Sequence, residues 1–433
     1  MHNTINRTKA PASKLVEFIK SIEPRQIRLS SGLPVYLIDE GQQEVLRIEL
    51  VFKAGNYYQQ EKQVARATNS LLTSGTGSHT AEEISEHFDF YGAYLETNNG
   101  KDNSYTGLYT LNKHLENTLP MLAEIISDPV FPEDELNIYR STRKQHLSVN
   151  LQKVKYLARV CFQEQVFGKD HPYGMRLQDF HFDALTRAKL VEHHRNHYLS
   201  GECFLVVSGK IPPGFENLLE RHFGSFKSNT SGNAEKKLPC QDPDPAPEQT
   251  QFIEKKGAMQ SALRIGKPVI NRLHPDYPSL FVLNTVLGGY FGSRLMTNIR
   301  EDKGFTYGIG SMLTSMQHSG LFIIASEVGN DVLKASIDEI FKEIRRLREQ
   351  AIGMEELELV KNYLMGSLMR SMDGSFALAE RLRSALEFGQ DMSYYKEYAA
   401  TIRDITPEKL QSLANTYLNE ESLLITVAGK AKL

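Results

Sequence analysis

Residues 197–210, HYLSGECFLVVSGK, and residues 416–430, TYLNEESLLITVAGK, decide the fold of this chain. Each runs from a Tyr-Leu pair through a polar turn into a short β-branched stretch and stops at Gly-Lys, the form of a strand that closes a structural unit. Tyr198 and Tyr417 are 219 positions apart, and Gly209 and Gly429 are 220 apart. A second pair keeps nearly the same offset: FPEDELNIYRSTRKQHL at 131–147 aligns with IGMEELELVKNYLMGSL at 352–368, shifted by 221. Two segments of different type sharing one offset indicate a tandem duplication.

Between the copies, residues 227–251 (KSNTSGNAEKKLPCQDPDPAPEQTQ) carry Pro239, Pro243, Pro245 and Pro247 among polar residues and read as a linker. It separates an N-terminal domain, residues 1–226, from a C-terminal domain, residues 252–433. In the first, Gly32–Asp39 and Leu46–Lys53 alternate like half-buried strands across the polar tract EGQQE and predict an antiparallel hairpin. Thr80 and Glu83 predict a capping box for a helix with Ile84, Phe88 and Tyr91 on one face. Long helical patterns cover Val332–Gln350 and Glu355–Met372 in the second. Together these predict an α+β fold of two tandem homologous domains, each a mainly antiparallel sheet flanked by helices.

The 433 residues are 40% hydrophobic and 24% charged, ordinary globular composition. Fifty Lys and Arg against 53 Asp and Glu leave a net charge of −3, so no overall basic field exists to hold nucleic acid. Cys161, Cys203 and Cys240 form no C-x-x-C pair, which predicts free thiols and a reducing compartment. The segment MHNTINRTKAPASKLVEFIKSIEPRQ lacks the apolar stretch of a secretory signal, and no run long enough to span a bilayer follows. A cytoplasmic protein without a transmembrane segment is expected.

In Val64–Thr76 the residues Val64, Ala67, Thr68, Leu71 and Leu72 share a helical stripe, while Arg66, Asn69 and Ser70 are expected to project together from its other edge. With VFKAGNYYQ before it and Gly75-Thr76 after, this segment stands where the inverzincin metallopeptidases of the insulinase/pitrilysin family carry H-x-x-E-H. The chain resembles that family over nearly its whole length, through LSSGLPVYLIDE (29–40), SDPVFPEDEL (127–136), FGKDHPYG (167–174) and GGYFGSRLMTNIREDKGFTYGIGS (288–311). It is most similar to the mitochondrial processing peptidase subunits and their bacterial relatives.

The resemblance implies that Arg66 and Ser70 stand at the two histidine ligand positions, Asn69 at the catalytic glutamate and Gln145 or His146 at the distal ligand. Zinc needs His, Cys or carboxylate ligands, and a guanidinium repels it. Asn69 offers no base for water. No metal is therefore expected in this chain. His79-Thr-Ala-Glu82-Glu83 and Glu83-Ile-Ser-Glu86-His87 imitate the motif out of register and read as solvated surface. His193 and His197, at i and i+4, read as part of a surface helix.

In the second half, Ser293–Lys303 predicts a helix closed by Gly304, and Phe305–Ser311 predicts a strand. By themselves, Arg300 is a cation at a helix C-terminus and Tyr307 a packed strand residue. The family's R-x-x-x-G-x-x-Y pattern matches them, and implies that Arg300 holds substrate carbonyls while the Tyr307 hydroxyl donates to the oxyanion. Gly288, Gly289 and Gly292 form a short flexible loop without phosphate-loop spacing, at the place of a substrate-touching glycine-rich loop in the non-catalytic processing-peptidase subunit.

The resemblance implies a non-catalytic, substrate-binding subunit, inactive alone. It lends Arg300 and Tyr307 to a homologous partner that holds zinc on an intact H-x-x-E-H, and it admits peptides or unfolded polypeptide. A scaffold subunit without hydrolytic role and an autonomous peptidase with a displaced metal site are the alternatives.

Overall fold

The computed structural model describes residues 23–226 and 242–430. The apolar run that ends each copy becomes an inner strand of a sheet. The first sheet contains β1 (Arg25–Arg28), β2 (Pro34–Asp39), β3 (Val45–Phe52), β4 (Tyr94–Asn99), β5 (Ser104–Leu111) and β6 (Cys203–Gly209). The second contains β7 (Thr250–Glu254), β8 (Gln260–Val269), β9 (Thr306–Met316), β10 (Ser319–Gly329) and β11 (Leu424–Gly429). The order β1-β2-β6-β3-β5-β4 recurs, without β1, as β7-β11-β8-β10-β9. In both sheets one pairing is parallel, β2 with β6 and β7 with β11, and the other pairings are antiparallel. The fold is α+β with two sheets of one design, as the repeats predict.

The expected hairpin does not form, because β6 lies between β2 and β3. Leu205, Val206 and Val207 of β6 are all buried, so the strand is covered on both faces and belongs inside a sheet. The polar tract after β2 spans the inserted strand, roughly 10 Å across two strand spacings.

One face of each sheet packs on its own helices. Leu46, Ile48, Leu50 and Phe52 of β3 meet Val64, Ala67, Leu119 and Leu122. In the second half, Leu263, Ile265, Phe322 and Ile324 meet the helices Leu333–Glu349 and Met354–Arg370, close to their predicted spans. The capping box at Thr80 also forms, with Glu83 N donating to Thr80 Oγ1 at 3.2 Å and Thr80 N donating to Glu83 Oε2 at 2.8 Å.

The other face of each sheet is covered from the opposite half. The first crossing helix, Val154–Phe167, lays Leu157 and Ala158 on Ala262 of β8 and Ala428 of β11. The second, Ser375–Leu386, lays Leu378, Ala379 and Leu382 on Ile38 of β2 and Val206 of β6. Charges buried at this second seam are paired: Arg47 with Glu49 at 3.0 Å and with Glu380 at 3.2 Å, and Arg383 with Glu49 at 2.7 Å. The β9–β10 turn adds a joint, since Gln317 N donates to Asp102 Oδ2 at 3.0 Å and His318 stacks on Tyr57 at 4.0 Å.

The described end of the proline-rich segment is strapped down. Asp244 N and Ala246 N donate to the carbonyls of Phe167 and Gln165, which the last turn of the first crossing helix leaves open, and Thr250 and Gln251 already belong to β7. Residues 227–241 of the expected linker, with Cys240, lie outside the described residues. Cys161 and Cys203 are buried. No helix among the described residues is long and apolar enough to cross a membrane.

Leu382→Ala removes a side chain that is 1% exposed at the second seam, and is expected to cost about 2–5 kcal/mol. Because each crossing helix belongs to both halves, urea denaturation followed by circular dichroism and by tyrosine fluorescence should give one shifted transition. Two separate transitions would show that the halves unfold independently.

Candidate functional site

The motif helix, Val64–Ser70, is held by Val64 and Ala67 in the first core. Arg66 on it is exposed and Ser70 half-buried. Asn69 departs from the expectation: it is 1% exposed, and its Nδ2 donates to Tyr105 O at 3.3 Å and to Tyr198 Oη at 3.1 Å. One residue on a helix is a rotation of about 100°, which turns Asn69 from the edge shared by Arg66 and Ser70 toward the sheet. Both N–H donors of its amide are engaged in structure.

The wall helix, Glu133–Asn150, faces the motif helix with Tyr139 and Arg143. Tyr139 is buried, which pushes its hydroxyl pKa up, while the charges of Arg143 and Arg66 pull it back. The Arg143 guanidinium stands over the Tyr139 ring at 5.1 Å. Gln145 and His146 are exposed farther along the same helix, and Tyr139, about two turns earlier, is the wall residue that feels the Arg66 charge. The set Arg66, Ser70 and Tyr139 offers a cation and two neutral hydroxyls. It does not fit zinc, and among the described residues no group of three His, Cys, Asp or Glu stands ready to hold a metal.

The histidines outside this register have structural partners. His79 Nδ1 meets Glu124 Oε1 at 2.9 Å, and His87 Nε2 meets the Asn117 carbonyl at 3.0 Å. His193 does not lie on a surface helix: it is buried with Nε2 3.2 Å from Ala54 O, and its ring lies 4.4 Å from that of His197. Burial, then the neighbouring His197, pushes His193 down to about 3, which keeps it neutral.

Arg300 occupies the last turn of the helical segment Met296–Asp302, a π-type widening of the predicted helix, and Gly304 follows at φ +65°. Its guanidinium covers the Phe291 ring at 4.5 Å and reaches Glu301 at 4.0 Å. Tyr307 lies on the edge strand β9, where Tyr307 and Gly308 together oppose Glu327. This bulge re-aims the strand, and Tyr307 is 93% exposed. No hydrogen bond joins Arg300 to Tyr307 among the described residues.

Gly288 and Gly289 are not a flexible loop. They end the helical segment Thr285–Gly289, and a Cβ on Gly288 would come within 2.5 Å of Ser311 N on β9. Gly288 is there so that the helix can touch the strand that carries Tyr307. The exposed turn is Tyr290–Gly292, where a Cβ on Gly292 would meet the Tyr290 ring.

Glu327 also lines a cavity of about 860 Å³ between the halves, with Lys153, Lys155, Lys255 and Lys256 around it. Lys155, Tyr156 and Arg159 follow one another on the first crossing helix, with Arg159 over the Tyr156 ring at 5.2 Å. The pairs Tyr139/Arg143 and Tyr156/Arg159 were missed in sequence. Their signal is a tyrosine followed by arginine at helical spacing.

Comparison with known proteins gives a consistent relationship. The family described as the peptidase M16 inactive domain matches residues 184–364. An uncharacterised zinc protease of Rickettsia felis is 26% identical over 413 residues, covering 93% of each chain. One of Bacillus subtilis is 25% identical over 368 residues, covering 83% of this chain and 86% of its own. The crystal structure of a peptidase M16 inactive domain from Pseudomonas fluorescens superposes with a TM-score of 0.81 at 22% identity, covering 95% of this chain and 99% of that one.

Two outcomes follow from this geometry. Arg66→His, Ser70→His and Tyr139→Glu together should bind about one zinc per chain, whereas His146→Glu in place of Tyr139→Glu should bind it at least tenfold more weakly. Isothermal titration decides, and equal or tighter binding by the His146→Glu variant would put the wall ligand at the position that counting along the sequence gives. The buried neutral His193 has a folded pKa near 3 against 6.5 unfolded, so the unfolded chain takes up the extra proton. Its stabilising share is full above pH 6.5 and is lost as pH falls toward 3. His193→Gln should therefore shrink the drop in unfolding free energy between pH 7 and pH 5 by roughly 2 kcal/mol. An unchanged slope would mean that the imidazole is not held neutral.

Proposed function

For a chain that belongs to the M16 peptidase family, we propose the role of non-catalytic, substrate-binding subunit in a two-chain zinc peptidase. The observation that carries this reading is the contrast between the two halves. Positions 66, 69 and 70 hold no ligand or base, while Tyr307, raised on the β9 bulge, stands 93% exposed with Arg300 on the preceding helix.

A phenol left out in solvent on an edge strand contributes little to this fold. It is well suited to meet a substrate held against another chain. In the proposed pair, the Tyr307 O–H donates to the oxyanion that develops at the scissile carbonyl, and the Arg300 guanidinium donates to a backbone carbonyl of the substrate, fixing its register. The close contact of Gly288 with Ser311 keeps β9 rigid behind Tyr307. A homologous partner with an intact H-x-x-E-H would supply zinc and the base that activates water. The two chains would enclose peptides or unfolded segments between them.

Co-expression with such a partner and a steady-state assay on peptides tests the proposal. The pair should hydrolyse, and Tyr307→Phe should lower its turnover by about 10²-fold or more without dissociating the chains, since one transition-state donor is lost. Arg300→Ala should raise KM. A pair that assembles and cuts peptides at an unchanged rate with Tyr307→Phe contradicts the proposal.

A further inference from the structure

Guanidinium groups from four elements gather around two tyrosines beside the motif helix, Tyr139 and Tyr156. Arg66 comes from the motif helix, Arg143 from the wall helix, Arg159 from the first crossing helix and Arg176 from the loop after it. Tyr139 feels the charges of Arg143 and Arg66, and Tyr156 those of Arg159, Arg66 and Arg176, so Arg66 is common to both groups. The field extends to Lys101, pushed down to about 8 by burial first and Arg159 next.

Arg143 and Arg159 are each laid over a tyrosine ring, at 5.1 and 5.2 Å. Stacking fixes the head group while its in-plane N–H donors remain available. Among the described residues only Arg176 has a carboxylate partner, Glu164 at 3.8 Å, and no ion pair reaches Arg66, Arg143 or Arg159. The chain is not short of acid, with 53 Asp and Glu to 50 Lys and Arg. Like charges gathered without counter-charges repel, and a bound anion relieves that repulsion.

We infer that this arginine cluster is a binding site for an acidic stretch of polypeptide, its forks taking Asp and Glu carboxylates at the place where the family's metal motif would stand. The inference rests on the substrate-binding reading above and names the class of segment that this half receives. A guanidinium presents parallel N–H donors matched to a carboxylate. A short acidic segment sees the local cluster. A long polyanion also sees the net negative remainder of the chain, which disfavours nucleic acid.

The test measures fluorescence anisotropy of the full chain with a labelled Glu-Gly repeat peptide, its Lys-Gly twin and a short single-stranded oligonucleotide. The acidic peptide should bind, more weakly as salt rises, and the basic twin should not. Arg66→Ala with Arg143→Ala should weaken binding at least tenfold with circular dichroism and thermal midpoint preserved. Arg66→Lys with Arg143→Lys should fall between, having charge without the fork. Absence of acidic-peptide binding, indifference to the double alanine variant, or tighter arginine-dependent binding of the oligonucleotide each overturns the inference. If the reconstituted pair still depends on Tyr307 in that event, the subunit role stands and only the acidic site falls.

Discussion

The helix Val154–Phe167 belongs to the first half by sequence and to the second sheet by packing, and its counterpart Ser375–Leu386 makes the reverse crossing. Small side chains make the crossing close: Ala158 meets Ala262 and Ala428, and Ala379 lies in the cluster with Ile38 and Val206. Along the first crossing helix, Leu157 and Ala158 are buried while Tyr156 and Arg159, three residues apart, share another face near the motif helix. The same crossing that locks the sheets together thus brings a stacked guanidinium to Arg66. Without it the chain would be two units on a string, and neither the basic cluster nor the cavity beside Glu327 would exist.

That arrangement gives chemical sense to the replaced motif. A bound metal would place a compact dication between the motif helix and the wall helix. Here Arg66 and Arg143 place two delocalised cations there, with Tyr139 between them. In the proposed role the site offers positive charge without a Lewis acid, which suits holding a chain better than cutting it. The second half presents an exposed edge, where the bulge opposite Glu327 lifts Tyr307 into solvent and Gly288 lets the helix approach the strand behind it closely.

The fold was legible in sequence to the extent that it is repeated. The run Cys203–Gly209 and its copy gave two equivalent inner strands, and helical periodicity located Leu333–Glu349 and Met354–Arg370. The hairpin failed because alternation in neighbouring segments says nothing about a third strand that arrives some 150 residues later, although the nearly unbroken apolar run of β6 was the clue that it must lie inside a sheet. The crossing helices were hidden, since an amphipathic helix does not say which sheet it covers. In the site, family spacing singled out Arg300 and Tyr307, while Asn69, one helical step from the edge expected for it, turns toward the sheet. The arginine cluster is spread over four elements from Arg66 to Arg176, each of which alone reads as an ordinary helix or loop surface.

The proposed role leaves this chain without a water-splitting apparatus of its own. Its most direct test is peptide hydrolysis by the isolated, contaminant-free chain, with zinc supplied and with a chelator added. The account predicts no cleavage under either condition; chelator-sensitive cleavage by the chain alone would contradict it.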